Sequence, residues 1–229
     1  MSSERRIPTP HGEARLVTHR ARRPLVTLLL SHGAGGGIGA RDLQALAAEL
    51  PRNGATVVLL EQPWRVAGRR VATAPATLDS ALLAAANNLR VRTPLVVGGR
   101  SAGARSAARS ARALAASGCL ALSFPLHPVG KPETSRLHEL RQARVPTLVV
   151  QGENDTMGRP EEFPPDVDLT VVPGADHGLK VPKTVEISQD DAMAIVVEST
   201  LEWLVREVIG AGAGWGRGNG GAAADVPRT

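Results

Sequence analysis

One segment of the chain, residues 92–115, restricts the possible folds more than any other. Residues 95–97 form a short apolar run between Pro94 and Gly98, which is typical of a buried parallel strand. Beyond a glycine-flanked serine, small apolar side chains recur at helical spacing and arginines fall on the opposite side. The two sets are Ala104, Ala107, Ala108, Ala111, Leu114 and Ala115, and Arg105, Arg109 and Arg112. The segment predicts a strand, a sharp turn and an amphipathic helix that lies close to a sheet.

The turn carries a G-x-S-x-G pattern, Gly99-Arg100-Ser101-Ala102-Gly103. A serine on a sharp strand-to-helix turn needs a strained backbone, and the residues two before and two after it are crowded unless they lack side chains. The turn lifts the hydroxyl above the sheet, and the new helix directs free N–H groups and its positive end at whatever the serine attacks. The alternative is a tight turn with an incidental serine. The strand-turn-helix setting favours a nucleophile.

The composition indicates a globular protein of one domain. The 229 residues suffice for a full core, and 42% of them are hydrophobic. We expect the domain to occupy residues 1–209 and a Gly/Ala-rich, disordered tail to follow over residues 210–229. The single cysteine, Cys119, excludes an internal disulfide framework and a cysteine-based zinc site, and we expect it to be a small buried residue.

The charge pattern argues against nucleic acid and membranes as partners. Basic residues outnumber acidic ones by 27 to 22, but no Lys/Arg run is interleaved with aromatic residues, which make up 2% of the chain. The N-terminus lacks an apolar stretch suited to a signal peptide, and runs such as residues 25–30 are too short to span a bilayer. We expect a cytoplasmic protein that acts on a small-molecule substrate without a metal or cofactor. The sequence leaves the oligomeric state open.

Elsewhere along the chain, strand patterns alternate with helix patterns. This alternation predicts an α/β fold, a mostly parallel central sheet with helices on both faces and no large lid domain. In the region before the central segment, we expect residues 1–13 to be a loose lead-in, Asp42 to cap a helix and residues 61–77 to form a loop. Strands are predicted at residues 13–18 (a candidate edge strand), 24–31, 56–60, 120–124, 146–151 and 169–172, and a final helix at residues 190–209 with Met193, Val197, Leu201, Leu204 and Val208 on its buried face.

Three polar residues at the carboxyl ends of predicted strands form a candidate catalytic set. Chemistry in parallel sheets collects at that edge, and the chain order Ser101, Asp155, His177 is the serine, acid, histidine order of one class of hydrolase. Ser101 would be the nucleophile, His177 the general base and then acid, and Asp155 the group that orients the imidazole. Asp176 is the competing acid, but sequence neighbours seldom face each other correctly.

A nucleophilic serine also needs an oxyanion hole with two backbone donors. The N–H of Ala102 follows the nucleophile, and the N–H of Ala34 lies in the glycine-rich loop after the first strong strand. His32, Arg100 and His127 are candidate pocket residues. We expect His32 to shape its loop rather than to take protons, whereas His127 fits a pocket and a proline-fixed turn equally well.

These residues carry a resemblance to the α/β-hydrolases of the small, dienelactone-hydrolase-like kind. Over residues 24–208 the chain is similar to hydrolase-like proteins that share three motifs: Ser-His-Gly-Ala-Gly at residues 31–35, Gly-Gly-Arg-Ser-x-Gly at residues 98–103, and Phe-Pro-Leu-His-Pro-x-Gly-Lys-Pro at residues 124–132. That group includes the testis-expressed α/β-hydrolase-like proteins and a chromatin-complex subunit of animals. The resemblance implies a hydrolase fold with a Ser-His-Asp triad but no particular substrate.

Two other functions are compatible with parts of the sequence. The glycine-rich loop at residues 33–39 also resembles a dinucleotide-binding opening, with Glu61 where a ribose acid would lie. The chain has no tyrosine, however, so the carbonyl reduction of short-chain dehydrogenases is excluded. Some relatives act as scaffolds, which keeps a non-catalytic interaction protein as the second alternative. The hypothesis that we carry forward is a serine hydrolase of a small ester, thioester or lactone, with an open, shallow site beside an arginine-rich loop at Arg65, Arg69 and Arg70.

Overall fold

The segment of residues 92–115 lies at the centre of the fold. In a computed structural model, which describes residues 2–70, 72 and 74–210, its strand joins an eight-stranded sheet in the order β1-β2-β4-β3-β5-β6-β7-β8. The first two pairings are antiparallel and all the others are parallel. The strands are β1 (Ser2–Thr9), β2 (Gly12–His19), β3 (Val26–Ser31), β4 (Ala55–Glu61), β5 (Leu95–Arg100), β6 (Gly118–Leu122), β7 (Thr147–Gly152) and β8 (Asp168–Val172).

Helices cover both faces of this sheet. They are α1 (Arg41–Glu49), α2 (Pro63–Val66), α3 (Pro75–Asn88), α4 (Ala102–Ser110), α5 (Leu137–Arg141) and α6 (Gln189–Trp203), which continues as a π-helix over Leu204–Ile209. On β3, Leu28 and Leu30 pack with α1 and α6, whereas Leu29 packs with α3 and α4 on the other face. Strand side chains alternate between faces, so a strand covered on both sides is apolar throughout. The predicted α/β fold, a mostly parallel central sheet with helices on both faces, is confirmed.

The prediction that residues 1–13 form a loose lead-in is wrong. Ser2–Thr9 is strand β1, which pairs with β2 along its whole length. The segment is polar and mostly exposed, with Ile7 as its one buried side chain, because β1 lies at the edge of the sheet. The hairpin turn places Gly12 at a φ of 109°, a conformation that favours glycine.

Asp42 does not cap helix α1, contrary to the prediction. The N-cap residue is Ala40, without a side-chain hydrogen bond, and Asp42 lies buried inside the first turn. The predicted loop at residues 61–77 contains the short helix α2 and the start of α3.

The final helix contacts the sheet through a face slightly rotated from the predicted one. Ala192, Val196 and Trp203 are buried, whereas Met193 and Leu201 are only partly buried. Apart from Gly210, the predicted tail lies outside the described residues. Within the described part of the chain, no helix combines the length and apolar character that crossing a bilayer requires.

Candidate active site

Ser101 lies at a strained turn between β5 and α4. Its φ and ψ are 52° and −113°, a conformation that residues with a side chain rarely adopt. The two flanking glycines are needed because both approach the backbone of Ser31 at the end of β3. A Cβ on Gly99 would lie 2.2 Å from the Ser31 carbonyl oxygen, and one on Gly103 would lie 2.4 Å from the same atom. The crowding that the sequence predicts therefore arises against the neighbouring strand.

Ser101, His177 and Asp155 form a continuous chain of hydrogen bonds. The Ser101 Oγ lies 2.9 Å from Nε2 of His177, and Nδ1 of the same ring lies 2.8 Å from Oδ2 of Asp155. The carboxylate is completely buried, whereas the imidazole is about a quarter exposed. With Nδ1–H donating to the carboxylate, Nε2 is left free to accept the serine proton. This is the arrangement that general-base activation of a hydroxyl requires.

The Asp155 carboxylate is held by two further donors. The Met157 N–H donates to Oδ1 at 2.8 Å, and the Gln151 side-chain amide donates to Oδ2 at 2.8 Å. Gln151 is itself fully buried at the end of β7 and also donates to the Gly158 carbonyl at 2.7 Å. Sequence analysis missed Gln151, although a glutamine inside the apolar strand 147–152 is an unusual choice that could have signalled a buried polar contact.

Asp176, the competing acid, has a different role. Its Oδ1 accepts hydrogen bonds from the N–H groups of Gly178 at 2.7 Å and Lys180 at 2.9 Å. The side chain therefore stabilises the loop that carries His177 and does not bond to the imidazole.

The two candidate oxyanion donors flank the serine. Ala102 is the first residue of α4, so its N–H has no acceptor within the helix. The loop of Ala34 lies against the elbow, since a Cβ on Gly33 would be 3.3 Å from the Ser101 Cβ. Ala34 is exposed, and its N–H does not appear among the turn and loop hydrogen bonds of the described residues. Both N–H groups are thus available to a ligand.

His32 fixes the peptide that carries the Ala34 N–H. Its Nε2 lies 3.1 Å from the Gln62 N–H and can only accept there, so Nδ1 carries the proton and donates to the Gly33 carbonyl at 2.9 Å. Because the C=O and N–H of one peptide point in opposite directions, anchoring Gly33 O on one side directs the Ala34 N–H to the other. Burial lowers the pKa of His32, which keeps the ring neutral.

Arg100 and His127, the other two candidate pocket residues, are engaged by the protein. Arg100 donates from Nη2 to the His177 carbonyl at 2.6 Å, and its Nε lies 3.1 Å from Oδ2 of Asp42. His127 is buried, with Nδ1 2.9 Å from the Pro128 carbonyl and Nε2 3.0 Å from a carboxylate oxygen of Glu162. His127 therefore joins the 125–132 segment to the segment that follows Asp155.

The features that suggested a dinucleotide site have other contacts. Glu61 pairs with Arg15, whose Nη2 lies 2.7 Å from Oε2 of the glutamate. The glycine-rich loop packs on the serine turn, as the position of Gly33 shows. Across the described residues, no three His, Cys, Asp or Glu side chains cluster in a way that could hold a metal ion.

Comparison with known proteins agrees with this architecture. The family model described as alpha/beta hydrolase domain matches residues 24–205, so the chain belongs to the α/β-hydrolase family. No curated protein sequence gives a significant match.

Solved structures of hydrolases share the fold. A serine hydrolase without a lid from Xanthomonas campestris is 19% identical, with a TM-score of 0.66, over 88% of this chain and 94% of that one. A dienelactone hydrolase from Anabaena variabilis is 17% identical, with a TM-score of 0.67, over 90% of this chain and 98% of that one. The protein Est1E from Butyrivibrio proteoclasticus is 16% identical, with a TM-score of 0.65, over 90% of this chain and 100% of that one. Family and fold together define a hydrolase enzyme.

Proposed function

We propose that the protein is a serine hydrolase that cleaves a small ester, thioester or lactone through an acyl-enzyme on Ser101. The observation that carries this proposal is the hydrogen-bonded chain from Ser101 through His177 to Asp155, with both contacts under 3 Å. A serine hydroxyl is a weak nucleophile until a base takes its proton, and the base needs an orienting acid. The nucleophile Ser101, the base His177 and the acid Asp155 lie on three different loops.

The mechanism follows from the contacts. Ser101 Oγ attacks the substrate carbonyl carbon while its proton passes to Nε2 of His177, and Asp155 stabilises the imidazolium. The carbonyl oxygen becomes an oxyanion that accepts hydrogen bonds from the N–H groups of Ala34 and Ala102. The tetrahedral intermediate expels the alcohol or thiol, which takes the proton from His177. Water then repeats the sequence on the acyl-enzyme, and the carboxylic acid leaves.

The exposure of the site supports a small or accessible substrate. Ala34 and Gly35, beside the serine, are exposed, and His177 is about a quarter exposed. Residues 125–145, which separate two of the later strands, contain only the five-residue helix α5. The described residues form no large lid domain, and the fold neighbours named above include a dienelactone hydrolase and a lidless serine hydrolase. A short acyl chain fits this environment best.

The finer kinship with the testis-expressed α/β-hydrolase-like proteins rests on residues 124–132. In this chain the segment starts at the fully buried Phe124 and is held by the contact of His127 with Glu162. We propose that this contact is a structural signature of the group. A solved structure of one of those proteins with no carboxylate near the corresponding histidine would contradict the assignment.

A panel of p-nitrophenyl esters of graded chain length tests the function. We expect wild-type protein to hydrolyse the acetate and butyrate faster than the octanoate, and Ser101→Ala to lose the activity at all lengths. A parallel calorimetric titration with NAD should give no heat of binding. An inactive wild-type protein would favour the scaffold alternative, and saturable NAD binding would favour the dinucleotide alternative.

A further inference from the structure

We propose that Arg100 and Asp42 together position the catalytic histidine by holding the His177 carbonyl. The inference rests on the proposed function, because it assigns a positioning role within that same site. Arg100 precedes the nucleophile in sequence, so one residue connects the serine turn to the loop that carries the base. The arginine would thereby keep the hydroxyl of Ser101 and the imidazole of His177 within hydrogen-bonding distance of each other.

The contacts of Arg100 are specific. Its Nη2 donates to the His177 carbonyl at 2.6 Å, and within the described part of the chain no other group donates to that carbonyl. The rest of the loop has its own anchors, including the hydrogen bond from Asn154 N–H to Ala175 O at 2.8 Å. The loop can therefore fold without Arg100, while the exact height of His177 above Ser101 depends on it.

Asp42 fixes the other side of the guanidinium. Its carboxylate is 1% exposed, and Oδ2 lies 3.1 Å from Nε of Arg100. The Nε–H is not aligned on that oxygen, so the contact is an ion pair without a good hydrogen bond. Burial raises the pKa of Asp42, and the positive charge of Arg100 opposes that rise. A buried ion pair of this kind adds little net stability, because the cost of desolvating both charges offsets their attraction. Its main effect is therefore to orient the guanidinium of Arg100.

Four variants test this role: Arg100→Gln, Arg100→Lys, Asp42→Asn and, as a matched control, Arg105→Gln. Arg105 lies in the first turn of α4, directly after Ser101, and it forms an ion pair with Glu139. Its side chain is 20% exposed, against 18% for Arg100. We expect Arg100→Gln to lower kcat about 10- to 100-fold with little change in KM, since a small displacement of the base is sufficient. Arg100→Lys should recover part of that loss, and Arg105→Gln should keep the wild-type kcat.

Two readouts separate positioning from mere stability. In Asp42→Asn, kcat should fall while KM changes little, because the guanidinium of Arg100 loses its anchor, and both constants should keep their wild-type values in Arg105→Gln. The downfield proton resonance of the His177–Asp155 bond, assigned with His177→Ala, should weaken in Arg100→Gln and persist in Arg105→Gln. Equal kcat in Arg100→Gln and Arg105→Gln, or a resonance of undiminished intensity in Arg100→Gln, would overturn the inference.

The two proposals fail in different ways. If wild-type protein hydrolyses esters, Ser101→Ala does not, and Arg100→Gln equals its control, only the positioning role is wrong. If wild-type protein hydrolyses no ester, the proposed function is wrong, and the proton resonance still decides whether Arg100 holds His177. Persistence of that resonance in Arg100→Gln would then overturn the inference by itself.

Discussion

The substitution Gly103→Ala tests the packing that holds the serine turn in place. The added Cβ would lie 2.4 Å from the Ser31 carbonyl oxygen, and 3.4 Å is the near limit of an ordinary contact, so the helix and β3 must separate by about 1 Å. A displacement of about 1 Å between reacting groups lowers the rate about 100-fold. Overpacking typically destabilises by about 1–3 kcal/mol, and alanine in a helix returns about 1 kcal/mol relative to glycine.

Activity should therefore fall more than stability. We expect kcat for a p-nitrophenyl ester to drop about 100-fold, while the net loss of up to about 2 kcal/mol lowers the melting temperature by about 8 °C at most. Gly39→Ala is the matched control, because a Cβ there meets no atom within 4 Å. Steady-state kinetics and thermal unfolding of both variants give the comparison. A Gly103→Ala protein with the kcat of its control would refute the argument that this glycine sets the serine position.

Three further predictions follow from individual contacts. Asp155→Asn should lower kcat/KM by about 10⁴-fold in steady-state assays, because the amide stabilises the wrong imidazole tautomer; retention of a tenth of the rate would contradict this. His32→Ala should lower kcat by up to about 10²- to 10³-fold, through the freed Ala34 N–H, while the exposed His138→Ala should not; equal rates would remove His32 from the oxyanion hole. Burial raises the pKa of Cys119 from 9.0 to about 12, so the unfolded chain releases the thiol proton first and stability falls as pH rises above 9.0. Urea unfolding at pH 8 and pH 10 should show a loss about 1 kcal/mol larger in wild type than in Cys119→Ala, and an equal loss would show that the thiol is accessible.

Sequence reasoning predicted the parts of the fold that depend on local pattern. Strands β3 and β5 are short apolar runs that end at glycine or at a polar turn, and burial on both faces leaves such strands no alternative pattern. Strand β1 escaped prediction because its sequence, residues 2–9, is mostly polar and only its pairing with β2 makes it a strand. Its stability depends on tertiary contacts that no local pattern reports.

The candidate site likewise has features that the sequence predicts and features that depend on tertiary contacts. The position of Ser101, Asp155 and His177 at one edge of the sheet could be predicted, since each of them follows a predicted strand at its carboxyl end. The contacts of Gln151 and Arg100 were not, because each bonds to a residue brought close only by the fold. Asp42 looked like a helix cap near the start of α1, yet the neighbouring strand supplies an arginine that the carboxylate faces instead.

Covalent labelling with a fluorophosphonate probe tests the central claim most directly, because the probe reacts with a serine only when a base activates it. Intact-mass spectrometry of wild-type protein should show one adduct per chain, and peptide mapping should locate it on Ser101. The adduct should be absent from Ser101→Ala and should form far more slowly in His177→Ala. A wild-type protein that stays unlabelled, or an adduct on another serine, would contradict the account.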